Sequence, residues 1–183
     1  YIGQTELFDT EFTYRVDTGV VVESTGHTTH VTEALRLSDK EKKQVIKEVP
    51  FVDVGIYNDN IYKYNYKVVF ISILQDANLG VYRRKSTGER FAFLEYLHPI
   101  TDPDNWEGFI NAEYNCGGFK FTKEILEKFA DQYEFIGRNT PEQIVQNLKY
   151  IRANLPEDCL LVIMLGGELY YEKNTFPAYE DRH

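Results

Sequence analysis

The stretch Cys159-Leu160-Leu161-Val162-Ile163-Met164-Leu165 is apolar at every position and closes on Gly166-Gly167. A strand with one solvated face alternates, so unbroken apolarity predicts a strand covered on both faces, as at the centre of a parallel sheet flanked by helices. Two further runs behave alike: Val68-Val69-Phe70-Ile71-Ser72-Ile73-Leu74, ending in Gln75-Asp76-Ala77-Asn78, and Gly19-Val20-Val21-Val22, ending in Glu23-Ser24-Thr25-Gly26. Val49 to Val54 reads as a weaker fourth strand.

Helices are predicted between the strands. Thr140-Pro141-Glu142-Gln143 is a capping box with proline at the first helical position, and Ile144, Leu148, Ile151 and Leu155 follow at helical spacing. Phe121-Thr122 precedes a second helix with Ile125, Leu126, Phe129, Ala130 and Tyr133 on its apolar side, and a shorter one covers Thr28 to Leu37. Buried strands alternating with amphipathic helices predict an α/β layer fold. Two regions break the rhythm. Tyr57 to Tyr66 is polar and tyrosine-rich and reads as a surface connection. Arg83 to Gly118 lacks clean periodicity apart from a turn at Lys85-Ser86-Thr87-Gly88, and reads as an irregular insert at about 83–118. The reading is a single α/β domain over 1–183.

Composition removes several classes. A formal net charge of −9 argues against unaided binding to nucleic acid or an anionic membrane. No apolar run approaches the roughly 20 residues that span a bilayer. Two cysteines are too few for a disulfide framework, which fits the cytoplasm. Neither a nucleotide-binding glycine motif nor a zinc-finger spacing is present, so no cofactor is implied.

In open parallel sheets, ligands bind at the carboxyl ends of the strands. That rule collects Glu23-Ser24-Thr25-Gly26-His27 after one strand, Gln75-Asp76-Ala77-Asn78-Leu79-Gly80 after another, and Gly166-Gly167-Glu168 after a third. Ser24 and Thr25 fall beside a helix start, where free N–H groups can hold an oxyanion, and Ser24 becomes a nucleophile if a histidine deprotonates it. A helix cap made of the same residues is the alternative. His27 and His30 share a helix face as H-x-x-H, but no third metal ligand stands at a telling spacing. The tyrosines at 57, 62, 64 and 66 suit either a sugar-stacking surface or ordinary packing, and Arg83, Arg84 and Lys85 suit either a phosphate or a solvated loop. His183 follows Glu180-Asp181-Arg182 and reads as an exposed helical residue.

The segments VVFISILQDANLGVYRRKSTGERFAF, LVIMLGGELYYEKNTFPAYEDRH and VVVESTGHTTHVTEALRLS resemble bacterial SGNH-hydrolase-like proteins of polysaccharide biosynthesis and their capsule acyltransferase-like relatives. The resemblance implies a flavodoxin-like three-layer α/β/α sandwich with a mostly parallel sheet, here cut short after about its fourth buried strand. It implies a nucleophile after the first strand, with Ser24 as candidate, although the family's G-D-S opening is absent. Asn78 and Gly80 would form the second block. Gly166, Gly167 and Glu168 would form the third, where a family member shows G-x-N; a carboxylate at Glu168 accepts hydrogen bonds and donates none. The general base would be His27, His183 or a residue outside the chain. The implied function is an esterase or acyltransferase acting on a glycan or acylated small molecule. The competing reading is a non-catalytic glycan-binding or accessory module of polysaccharide assembly.

Overall fold

The computed structural model describes residues 21–24, 26–53, 55–57, 59–114 and 116–164. Of the expected features, Thr25, Gly166, Gly167, Glu168, His183 and the side chain of Ser24 lie outside the described residues.

Three of the expected strands are present: β1 (Val21–Ser24), β2 (Val68–Ser72) and β6 (Leu160–Met164). They pair in parallel in the order β1-β2-β6. Val69 and Ile71 of the central strand are fully buried, and with Val31, Ile61, Tyr66, Ile151, Leu155 and Cys159 they form one apolar cluster. The helices that supply it are α1 (Thr28–Arg36), short α3 (Asn60–Lys63) and α7 (Pro141–Ala153). Thr140 and Gln143 form the capping box that the sequence announces. A second capping box, Ser38 with Glu41, starts α2 (Asp39–Glu48), a lysine-rich helix whose Val45 alone is buried.

The remaining strands form a separate sheet. β3 (Leu79–Arg84) is central and pairs antiparallel with β4 (Arg90–Glu95) and β5 (Tyr133–Phe135). Among the described residues the protein is therefore a mixed α and β structure with a small parallel and a small antiparallel sheet, rather than one mostly parallel sheet. Residues 83–118 are not an irregular insert in this frame. They carry the end of β3, all of β4, a 3-10 turn (Pro103–Asn105) and α5 (Trp106–Ile110). The antiparallel sheet that they share with β3 is unreadable in the sequence for physical reasons. The β3–β4 register shifts between Leu79 and Gly80, and Gly80, Val81 and Tyr82 are buried consecutively. Gly80 itself lies under the Phe135 ring, 2.5 Å from where a Cβ would stand, so no larger residue fits without movement. Gly88, at φ +88°, makes the expected turn between β3 and β4.

Aromatic rings fill the core beside this sheet. Phe129 of α6 (Lys123–Gln132) packs on Phe51, Tyr82, Phe91 and Tyr133 at centroid distances of 4.8–6.1 Å. The described part of the expected Val49–Val54 strand, residues 49–53, is no strand. Val49, Phe51 and Val52 are buried in a turn around Pro50, which cannot donate to a ladder. Nor is Tyr57 to Tyr66 a surface connection, because Tyr57, Ile61 and Tyr66 are buried. Among the described residues no helix is long and apolar enough to cross a membrane.

Phe129→Ala removes one ring from every one of those contacts and should lower stability by about 3–5 kcal/mol in urea unfolding. A loss below about 1 kcal/mol would mean that the aromatic cluster does not hold the second sheet.

Candidate functional site

The first turn of α1 sits where β1 ends, and almost every side chain on it is polar and buried. Thr28, Thr29 and Thr32 are fully buried, and His27, His30 and Glu33 nearly so. Such a turn is stable only if its donors and acceptors are paired inside the protein.

Asp76 provides the central pairing. It lies in the short helix α4 (Leu74–Asn78) directly after β2 and is fully buried. One carboxylate oxygen accepts the backbone N–H of Thr28 at 3.0 Å. The other accepts the Thr28 hydroxyl and, at 2.7 Å, the side-chain amide of Asn139. Asn139 also donates to the Thr29 hydroxyl at 3.0 Å. Asn147, on the inner face of α7, donates to the Thr28 hydroxyl at 3.0 Å. Residues from three separate segments thus converge on two threonines. Burial pushes the Asp76 carboxyl above the usual carboxylate range, while its bonds from Thr28 and Asn139 favour the ionised form.

His27 is the N-cap of α1. Its Nδ1 accepts the N–H of Thr29 at 3.1 Å, so the ring's single proton resides on Nε2. That Nε2 is buried and has no partner among the described residues. Asp76 stands 3.7 Å from Nδ1, beyond hydrogen-bond reach. His30 has the opposite tautomer: its Nε2 accepts the N–H of Ala92 at 2.7 Å, on the outer edge of β4. One turn further, Glu33 accepts from the Arg90 guanidinium at 2.7 and 3.1 Å. Burial pushes both histidines down to about 3, helped by the Arg90 charge at His27 and by His27 at His30.

These facts revise several sequence expectations. His27 is at the predicted strand–helix junction, but with Nδ1 engaged and Nε2 protonated it is a hydrogen-bond donor, not a base. The H-x-x-H pair has no metal-ligand geometry, since each ring uses its lone pair on a backbone N–H. Among the described residues no three metal-ligating side chains gather. Asn78 turns its amide to the Leu74 carbonyl of its own helix. Gln75 is exposed, and Gly80 serves packing under Phe135. Gly26 is half-buried in the bend before His27. The tyrosines do not form one stacking surface, because Tyr57 gives its hydroxyl to the Arg90 carbonyl and Tyr62 gives its own to Val31. Arg83 and Arg84 pair with Glu134 and Glu48, and Lys85 donates to the Ala130 carbonyl.

Sequence reasoning reached Asp76 only as a member of the 75–80 segment, without giving it a role, and passed over Asn139 and Asn147. Asn147 left a trace: it is a polar residue between Ile144, Leu148 and Ile151, on the face of α7 that packs inward. Asn139 immediately precedes the Thr140 cap but carries no periodic signal of its own.

Fold and site together define a mixed α and β protein with a buried polar junction at the carboxyl end of its parallel strands. Compared with known protein families, curated proteins and solved structures, the chain matches none.

The junction has a pH signature. Free histidine titrates near 6.5, and both buried rings stay neutral down to about 3. Between those values the unfolded chain binds more protons, so this contribution to stability is fully present above about pH 6.5 and is lost as pH falls. The slope approaches about 1.4 kcal/mol per pH unit for each ring. Asp76 has the opposite sign, because its raised value favours the folded state below it. Urea midpoints should drop steadily from about pH 7 to about pH 5, less so in His30→Gln; a flat profile in the unmutated protein contradicts the buried neutral pair.

Proposed function

We propose that the chain is an SGNH-like esterase or acyltransferase with a flavodoxin-like three-layer arrangement, in which Ser24 is the nucleophile. One observation carries the reading. The last residue of a parallel strand, Ser24, leads within four residues into a helix start that Asp76 and Asn139 clamp in place from two other segments. A nucleophile needs such a rigid mount at the carboxyl end of a sheet, beside backbone amides that stabilise an oxyanion; the Thr28 and Thr29 amides are already taken by Asp76 and His27. Thr25 and Gly26 supply those amides in this reading, since Asn78 is turned to its own helix. The substrate class is an acylated glycan or small molecule of polysaccharide biosynthesis. Both cysteines are free among the described residues, which suits work in the cytoplasm.

One observation favours the second reading, a non-catalytic glycan-binding or accessory module. His27 and His30 each have their lone pair engaged, and His98 stacks on Tyr114 at 4.3 Å. A base for Ser24 therefore comes from His183, another residue outside the described part of the chain, or a partner. The two readings separate cleanly in one assay. Hydrolysis of a short-chain p-nitrophenyl ester should fall about 10³-fold or more in Ser24→Ala. Equal rates remove Ser24 from the mechanism. Glycan binding without turnover, unchanged in Ser24→Ala, identifies the accessory module instead.

A further inference from the structure

The one buried side-chain nitrogen or oxygen without a partner among the described residues is Nε2 of His27. An unmade hydrogen bond at a buried donor costs about 1–3 kcal/mol. The surrounding residues show that the site is otherwise fully paired: Thr28, Thr29, Asp76, Asn139 and Asn147 satisfy one another within a few ångströms. A buried donor left over in an otherwise paired network calls for a partner.

We infer that the Nε2–H of His27 is a fixed hydrogen-bond donor for the carbonyl oxygen of a neutral acyl group bound at the start of α1. This inference rests on the acyl-site reading above and assigns His27 a role in it. The tautomer is set by the cap: Nδ1 is held on the Thr29 N–H, so the proton can only be on Nε2. Nδ1 faces the helix that it caps, which turns the Nε2 edge away from the helix's own amides. The ring cannot swing without losing the cap bond, so the donor is preorganised rather than recruited. The charge pattern chooses the class of ligand. The Asp76 carboxyl is 3.7 Å from the same ring, and Arg90, the cation whose charge acts on it, is already committed to Glu33. Among the described residues the ring thus has a carboxylate beside it and a cation already paired, which disfavours a phosphate or sulfate. A neutral carbonyl, on which negative charge develops only during acyl transfer, suits a neutral donor.

The test uses the whole chain with nitrogen-15-labelled histidine, and three probes: acetamide, acetate and inorganic phosphate. Acetamide should move the Nε2-bound proton of His27 downfield in a saturable way, with Nδ1 keeping its unprotonated signature; phosphate should have no such effect. In ester hydrolysis, His27→Leu should lower kcat/KM by about 10²-fold, and His27→Gln, which keeps an N–H donor, should recover part of the loss. A shift with acetamide while ester turnover is independent of Ser24 supports the donor and sinks the Ser24 mechanism. Ser24-dependent turnover with a motionless His27 signal and an unchanged His27→Leu rate overturns the donor and leaves the Ser24 mechanism standing. A response to phosphate below the acetamide concentration overturns the ligand class.

Discussion

Three hydrogen-bond donors converge on the buried carboxylate of Asp76: the Thr28 amide, the Thr28 hydroxyl and the Asn139 side chain. A carboxylate without water is expensive unless its lone pairs are filled by donors held in place. Each donor is therefore tied to the others. Thr28 belongs to the turn after β1, Asp76 to the turn after β2, and Asn139 to the approach to α7. The interaction joins the ends of two parallel strands to the helix that covers them. Asn147 adds a second bond from α7 to the same threonine hydroxyl. The same helix then reaches the other sheet. His30 fills the unpaired edge amide of Ala92, and Glu33 takes the guanidinium of Arg90.

This role explains why α1 is not an ordinary amphipathic helix. It is buried over both its first turns, between α7 and β4. A helix enclosed in this way would usually be apolar all round. Here Thr28, Thr29, His30 and Glu33 replace apolar residues because each has a partner across the interface, while Thr32 bonds back to the Thr28 carbonyl of its own helix. The exception, Nε2 of His27, stands out because everything around it is paired. Fold and candidate chemistry thus share one set of residues: the threonines that complete the Asp76 network also fix the ring whose free edge could meet a ligand.

What the sequence disclosed follows from how local each signal is. β2, β6 and α7 were legible because their burial pattern lies within one segment, and the Thr140 cap is a four-residue motif. The Ser38-Asp39-Lys40-Glu41 box was equally local, yet α2 buries only Val45 and so leaves no apolar stripe to find. The antiparallel sheet was hidden because Gly80, Val81 and Tyr82 are buried in succession, the β3–β4 register slips, and β5 has three residues. The site was half visible. Strand ends pointed to Ser24, His27 and the 75–80 segment, but within that segment Asp76 matters, whereas Gln75 and Asn78 do not enter the network. Asn139 is 63 residues from Asp76 in sequence, and nothing short of the fold brings them together. Tautomers are likewise a tertiary property: His27 and His30 look alike in sequence and are opposite in hydrogen bonding.

The central claim is that the Asp76 network acts as a unit that fixes the β1–α1 junction. A double-mutant cycle on Asp76→Ala and Asn139→Ala, read by urea unfolding at neutral pH, tests it directly. Groups that share a buried network couple by about 0.5–3 kcal/mol, whereas independent sites add to within about 0.3–0.5 kcal/mol. The account predicts a coupling of at least about 1 kcal/mol, with the second substitution costing far less once the first is made. Strict additivity of the two losses would contradict it.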